Sequence, residues 1–129
     1  MRYASPKHER LYRNVARGRG YRSHTMAALF LLTAHRKLWK NWCKAVDSKG
    51  IEWAAGRGND LGWDGDALQL AALSIAKSQA RQVTLHDLTD PVEYPLELLR
   101  LVITALWIAR NDPKATNEIM IRKGRFVAC

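Results

Sequence analysis

The sequence predicts an all-α, single-domain bundle of about five helices. Three observations carry that expectation. The chain has 129 residues, the size of one domain with a core of its own. Its apolar fraction of 47 % excludes a disordered, collagen-like or disulfide-scaffold chain. Apolar residues recur at spacings of three and four in successive segments, each bounded by capping or breaking residues.

Ser5-Pro6 opens the first helix, with Ser5 as N-cap and Pro6 in the first turn. It runs to about Arg17, where Gly18 and Gly20 stop it. His8, Leu11, Tyr12 and Val15 form its apolar stripe, while Lys7, Arg10, Arg13 and Arg17 recur at the same period on another face. Ser23 caps a second helix through Met26, Leu29, Phe30 and Leu32. Leu38, Trp39, Trp42, Cys43 and Val46 continue the helical pattern, with a break expected near His35 and an end at Asp47–Gly50.

Residues 50–65 carry five glycines and read as an irregular loop pinned by Ile51, Trp53, Leu61 and Trp63. Asp64 or Gly65 then begins a helix to about Ala80, with Leu68, Ala71, Ala72, Ile75 and Ala76 as its stripe. Thr84 and Asp87, three apart, mark a short capped turn. Pro95 starts the most apolar segment, Leu96–Ile108, expected to be the central buried helix. Asn111-Asp112-Pro113 ends it. The tail, 114–129, fits either a small hairpin around Lys123-Gly124 or a partly ordered extension.

Charge is the strongest functional signal. The chain holds 21 Lys+Arg against 12 Asp+Glu, a net charge of +9. Residues 1–40 alone contain ten basic residues and one acid, Glu9, and so account for the whole of it. The body beyond is near neutral. Such a field attracts polyanions: nucleic acid or an acidic protein surface. Lys7, Arg10, Arg13 and Arg17 fall along one helix surface within a basic segment spanning residues 1–22, and Arg19 and Arg22 extend it through a glycine-containing loop. Arginine suits bidentate phosphate or carboxylate contacts. The interleaved Tyr3, Tyr12 and Tyr21 are candidates for stacking on bases. No base-reading motif accompanies them. Trp53 and Trp63, on the irregular loop, are candidate anchors for a protein partner.

Other chemistries lack support. The calcium-loop pattern of Asn59–Asp66 fails at Gly62 and at Ala71, where ligand oxygens are needed, leaving turn and capping chemistry. His8, His24, His35 and His86 show no metal-ligand spacing, so no metal or cofactor is expected. "GRGND" lacks the Lys-Ser/Thr of a phosphate loop. Glu93 and Glu97 favour a helix N-terminus rather than acid–base work. No catalytic residue is assigned. Cys43 reads as a buried thiol and Cys129, 86 residues away, as a poor disulfide mate, which favours a reducing, cytoplasmic setting. No apolar run reaches membrane-span length, and Met26–Leu32 lacks the flanks of an export signal.

The element order carries "HERLY" at His8–Tyr12, "ALFLLTA" at Ala28–Ala34, Leu38-Trp39, "LGWDGDALQLAALSIAK" at Leu61–Lys77 and "LELLRLVITALWIAR" at Leu96–Arg110. On these it resembles a family of short helical proteins from bacterial mobile elements and phage-type regions. The resemblance spans about residues 8–110 and rests on helix-face patterns. The chain departs from it in Gly18–Arg22, in the glycine-rich loop and in the tail. It implies helices and a mobile-element origin. The family has no known activity, so no functional residue is carried over.

The reading is therefore a small non-enzymatic binding module with a cationic N-terminal surface for nucleic acid or an acidic protein. The alternative is a mobile-element protein that modulates a larger host protein or nucleoprotein machine through loop aromatics.

Overall fold

A computed structural model describes residues 2–17, 20–54, 61–76 and 82–110. They form a mostly helical single small domain, as the apolar periodicity predicts. The helices are α1 (Pro6–Ala16), α2 (Ser23–Leu32), α3 (Arg36–Trp42), α4 (Gly62–Ile75), α5 (Leu85–Leu88) and α6 (Leu96–Ala109). A 3-10 turn at Cys43–Ala45 leads into a two-stranded antiparallel ladder, β1 (Val46–Asp47) with β2 (Gly50–Ile51). The middle of the glycine-rich loop and the tail lie outside the described residues. Among the described residues no helix is long and apolar enough to cross a membrane.

Local capping chemistry places most boundaries. The Ser5 hydroxyl accepts from the His8 amide at 3.1 Å, and Pro6 sits in the first turn of α1. The expected break at His35 is real. α2 ends at Leu32, the Thr33 hydroxyl turns back to the Leu29 carbonyl at 2.7 Å, and His35 Nδ1 accepts from the Leu38 amide to start α3. Thr84 and Asp87 form a complete capping box on α5. Several boundaries differ from expectation. α3 ends at Trp42, which leaves Val46 in β1, and α4 ends at Ile75 rather than near Ala80. α4 begins at Gly62, where the backbone takes φ +77°. Ser23 is the first residue of α2 rather than its cap, and its hydroxyl donates to the Ala109 carbonyl at 3.0 Å, joining the start of α2 to the end of α6.

The central element is α2, not α6. Every residue from Met26 to Leu32 is buried, and α2 has its most extensive contacts with α6 and α4. Each fully buried Leu or Phe here contributes about 1.5–3 kcal/mol relative to exposure. Ala27 and Ala28 on α2, Ala71 and Ala72 on α4, and Ala105 on α6 are all buried, and such small residues let helix axes approach closely. α6 buries only Leu101, Val102, Thr104, Ala105 and Ile108, and leaves Leu96, Ile103, Leu106 and Trp107 exposed. An all-round apolar helix is covered on every side only when neighbours exist on every side, and α6 has none on its outer face among the described residues.

Specific polar bonds lock the layers. Trp42 Nε1 donates to Gln69 Oε1 at 2.7 Å, fixing α3 to α4. The Tyr94 hydroxyl donates to the Ala67 carbonyl at 2.9 Å, seating the lead-in to α6 on α4. The Tyr21 hydroxyl donates to the Asp47 carbonyl. Cys43 is disulfide-bonded, so the free buried thiol expected from its apolar neighbours is corrected. The chain's other cysteine, Cys129, lies outside the described residues.

Candidate polyanion-binding surface

α1 presents opposite faces to the core and to solvent. His8, Tyr12, Val15 and Ala16 are buried. At 100° per residue, Lys7, Arg10, Arg13 and Arg17 then fall on the side turned away from that stripe. Lys7 and Arg10 are exposed; Arg13 and Arg17 are half-buried. Arg22, exposed, occupies the N-cap position of α2 just beyond Gly20, whose φ of +69° turns the chain there. Arg19 lies outside the described residues.

These cations are not equivalent. Arg13 Nε meets Glu9 Oε2 at 3.1 Å, an i,i+4 pair whose side chains are about two-fifths exposed. Its guanidinium also lies 5.8 Å from the Tyr3 ring centroid. An exposed pair of this kind contributes well under 1 kcal/mol, so it steers Arg13 more than it neutralises it. Lys7, Arg10 and Arg22 make no ion pair among the described residues.

Tyr12 and Tyr21 do not join the basic face. Tyr12 is fully buried, edge-on to Phe30 at 5.3 Å, and Tyr21 is 8 % exposed. Tyr3 is half-buried against the rings of His8, Tyr12 and Phe30. Base stacking by Tyr12 or Tyr21 is thus excluded by packing: both rings belong to the core. His8 is part of the same cluster. Its Nδ1 accepts from the Ala4 amide at 2.9 Å, so Nε2 carries the proton that bonds the Phe30 carbonyl at 2.8 Å. Burial holds its pKa below the usual imidazole value.

A second polar region is a cleft of about 330 Å³ between the N-terminal segment, α4 and α6, lined by Arg2, His35, Asp64, Glu97 and Arg100 among others. His35 Nε2 lies 3.3 Å from Asp64 Oδ1, while its Nδ1 caps α3. With both ring nitrogens engaged, the imidazole has no lone pair to offer a substrate, and the pair is a strut between α3 and α4. Gly65 makes that strut possible, because a Cβ there would meet Leu61 Cβ at 2.8 Å and His35 Cε1 at 3.2 Å. Asp64 Oδ1 also accepts from the Gly65 amide at 2.9 Å; Asp64 lies in the first turn of α4, whose N-cap position is Leu61, so the capping role read from the sequence is corrected. Cys43 does not line this cleft, and as a disulfide sulfur it is no nucleophile. Among the described residues no three His, Cys, Asp or Glu side chains gather as metal ligands.

The candidate anchors separate. Trp63 is 61 % exposed, in the first turn of α4. Trp53 is half-buried, edge-on to Trp42 at 5.2 Å. Sequence reasoning passed over Trp107, which is 60 % exposed. The signal was present: with the other face of α6 needed for the core, the line Leu96, Ile103, Trp107 falls on the opposite side. No protein-family model, curated protein or solved structure matches this chain.

Proposed function

We propose that this protein is a binding module that docks the outer face of α1, and the Gly20–Arg22 turn that follows it, on a nucleic-acid backbone. One observation supports this reading: Lys7, Arg10 and Arg13 share the side of α1 turned from the core, Arg17 follows at its C-cap, and a single acid, Glu9, accompanies them on that helix. Guanidinium groups bond phosphate oxygens through two parallel N–H donors, and a helix face delivers them at a regular spacing. Each phosphate neutralised releases counterions, so the affinity falls steeply with salt. With Tyr12 and Tyr21 packed inside, recognition is by charge and shape, with no base readout.

The test replaces Lys7, Arg10 and Arg22 with alanine together. All three are exposed, so the fold is retained and far-UV circular dichroism checks it. Binding to a duplex and to a single strand is titrated over a range of salt concentrations. Losing three phosphate contacts lowers the log–log salt slope by about 2–3 and weakens binding at low salt. Unchanged affinity and slope in the folded variant refute the reading. Polyglutamate serves as the competing polyanion: tight binding to it, with none to nucleic acid, makes an acidic protein the partner instead.

The exposure of Trp63 favours a second reading. Here the chain docks on a larger host protein or nucleoprotein machine, in keeping with the resemblance to mobile-element and phage-region proteins. Such binding persists at salt concentrations that abolish the first, and Trp63→Ala removes it.

A further inference from the structure

We propose that α6 pairs antiparallel with the α6 of a second copy of this chain, through the apolar stripe it turns away from the core. At 100° per residue, Leu96, Arg100, Ile103 and Trp107 lie within a sector of about 60°. Leu96 is 59 % exposed, Ile103 53 % and Trp107 60 %, and Leu106 borders the stripe at 44 %. The buried side, Leu101, Val102, Ala105 and Ile108, faces the opposite way. The stripe continues beside Leu106 into an apolar groove of about 240 Å³ under α5, where Leu85 is 83 % exposed. A run of this kind on a small chain marks an interaction surface, because monomers keep their exposed apolar patches small.

The charges along α6 select the occupant. Glu97 and Arg100 sit toward its N-terminus and Arg110 caps its C-terminus; all three are exposed. A parallel second copy would set Arg100 beside the partner's Arg100. An antiparallel copy, with its two-fold axis near Ile103 and Thr104, does the reverse. Arg100 then lies over the partner's Trp107, a cation–π contact made twice by symmetry. Leu96 packs on the stem of the partner's Arg110. Ile103 meets the partner's Ile103 beside the axis. The face is thus self-complementary in one orientation, as an isologous dimer interface requires. α6 has 14 residues, about 21 Å of helix, so the interface is small and the dimer forms in about the micromolar range.

Sedimentation equilibrium of the full chain, from low to hundreds of micromolar, is expected to show the mass double with concentration. Ile103→Asp with Trp107→Glu changes exposed positions only, so folding is retained. It should weaken the dimer about a hundredfold, moving the rise in mass to concentrations higher by the same factor. Orientation is read by oxidative cross-linking: Ile103→Cys forms a dimer bond beside the axis. Leu96→Cys, about 20 Å along the axis from the partner's Leu96, does not. The proposal is overturned by a native chain that stays monomeric throughout. It is also overturned by a dimer that survives the double substitution, or by Leu96→Cys cross-linking as readily as Ile103→Cys.

Discussion

Replacing Tyr12 with phenylalanine removes one oxygen from the middle of the molecule, and the protein should become more stable for it. The Tyr12 ring is fully buried, packed edge-on to Phe30, and its hydroxyl has no hydrogen-bond partner among the described residues. In the unfolded chain that hydroxyl bonds water. Burying it unpaired costs about 1–3 kcal/mol, and Tyr12→Phe recovers that cost. Against this stands the small void the oxygen leaves. At about 15 Å³ and about 24 cal/mol per Å³ it costs roughly 0.4 kcal/mol. The net expectation is a gain of about 1 kcal/mol, a rise in Tm of about 3–5 °C for a domain of this size. Alkaline pH gives an independent readout. Burial pushes the Tyr12 phenol well above its ordinary pKa of 10, so the folded state keeps the proton that the unfolded state loses. Stability is fully present below pH 10 and falls as the pH rises above it. Tyr12→Phe removes this residue's share of that fall. Thermal and urea denaturation at neutral and alkaline pH, followed by circular dichroism, measure both effects. A variant with an unchanged or lowered Tm would show that the hydroxyl is satisfied in the native protein, and the reasoning fails.

Two further perturbations bear on the struts around the core. His8 is held neutral by burial, which outweighs the opposing effect of its bond to the Phe30 carbonyl, so its folded pKa lies below the ordinary 6.5. Stability should therefore be level above pH 6.5 and decline as the pH falls below it, ceasing to decline once the folded imidazole is itself protonated; His8→Gln should blunt the decline in acid denaturation. Gly65→Ala forces a methyl group against Leu61 and His35, and should cost about 1–3 kcal/mol in urea denaturation. If α4 tolerates it without loss, the close approach of His35 to α4 is not as described.

Features written in a few adjacent residues were legible in the sequence. Ser5-Pro6, the break at His35 and the Thr84–Asp87 box all rest on side-chain to backbone bonds spanning three or four residues. The cationic side of α1 was legible for a similar reason, since a 3.6-residue period settles which residues share a face. The centre of the fold was not. Met26–Leu32 and Leu96–Ile108 are both apolar nearly all round, and only the tertiary neighbours decide that α2 is enclosed while α6 keeps an outer side. Tyr12 shows a conflict within one reading: it stands on the apolar stripe of α1 and also alternates with arginines, and its angular position beside His8 and Val15 decides for the core. The disulfide at Cys43 was not legible either, because its apolar neighbours in the sequence point to a buried thiol.

Enclosure of α2 also sets an order of events during synthesis. Residues 26–32 have no polar side to face water and are made before their covering helices, which begin only at Gly62 and Leu96. The nascent chain therefore carries a greasy, unsheltered segment until α6 has been translated, an interval of seconds at about 5–20 residues per second. Slow translation should penalise the yield of soluble product, and supplying a holdase chaperone should restore it. The arginine-rich stretch just ahead of that segment is its nearest source of charge repulsion against premature clumping.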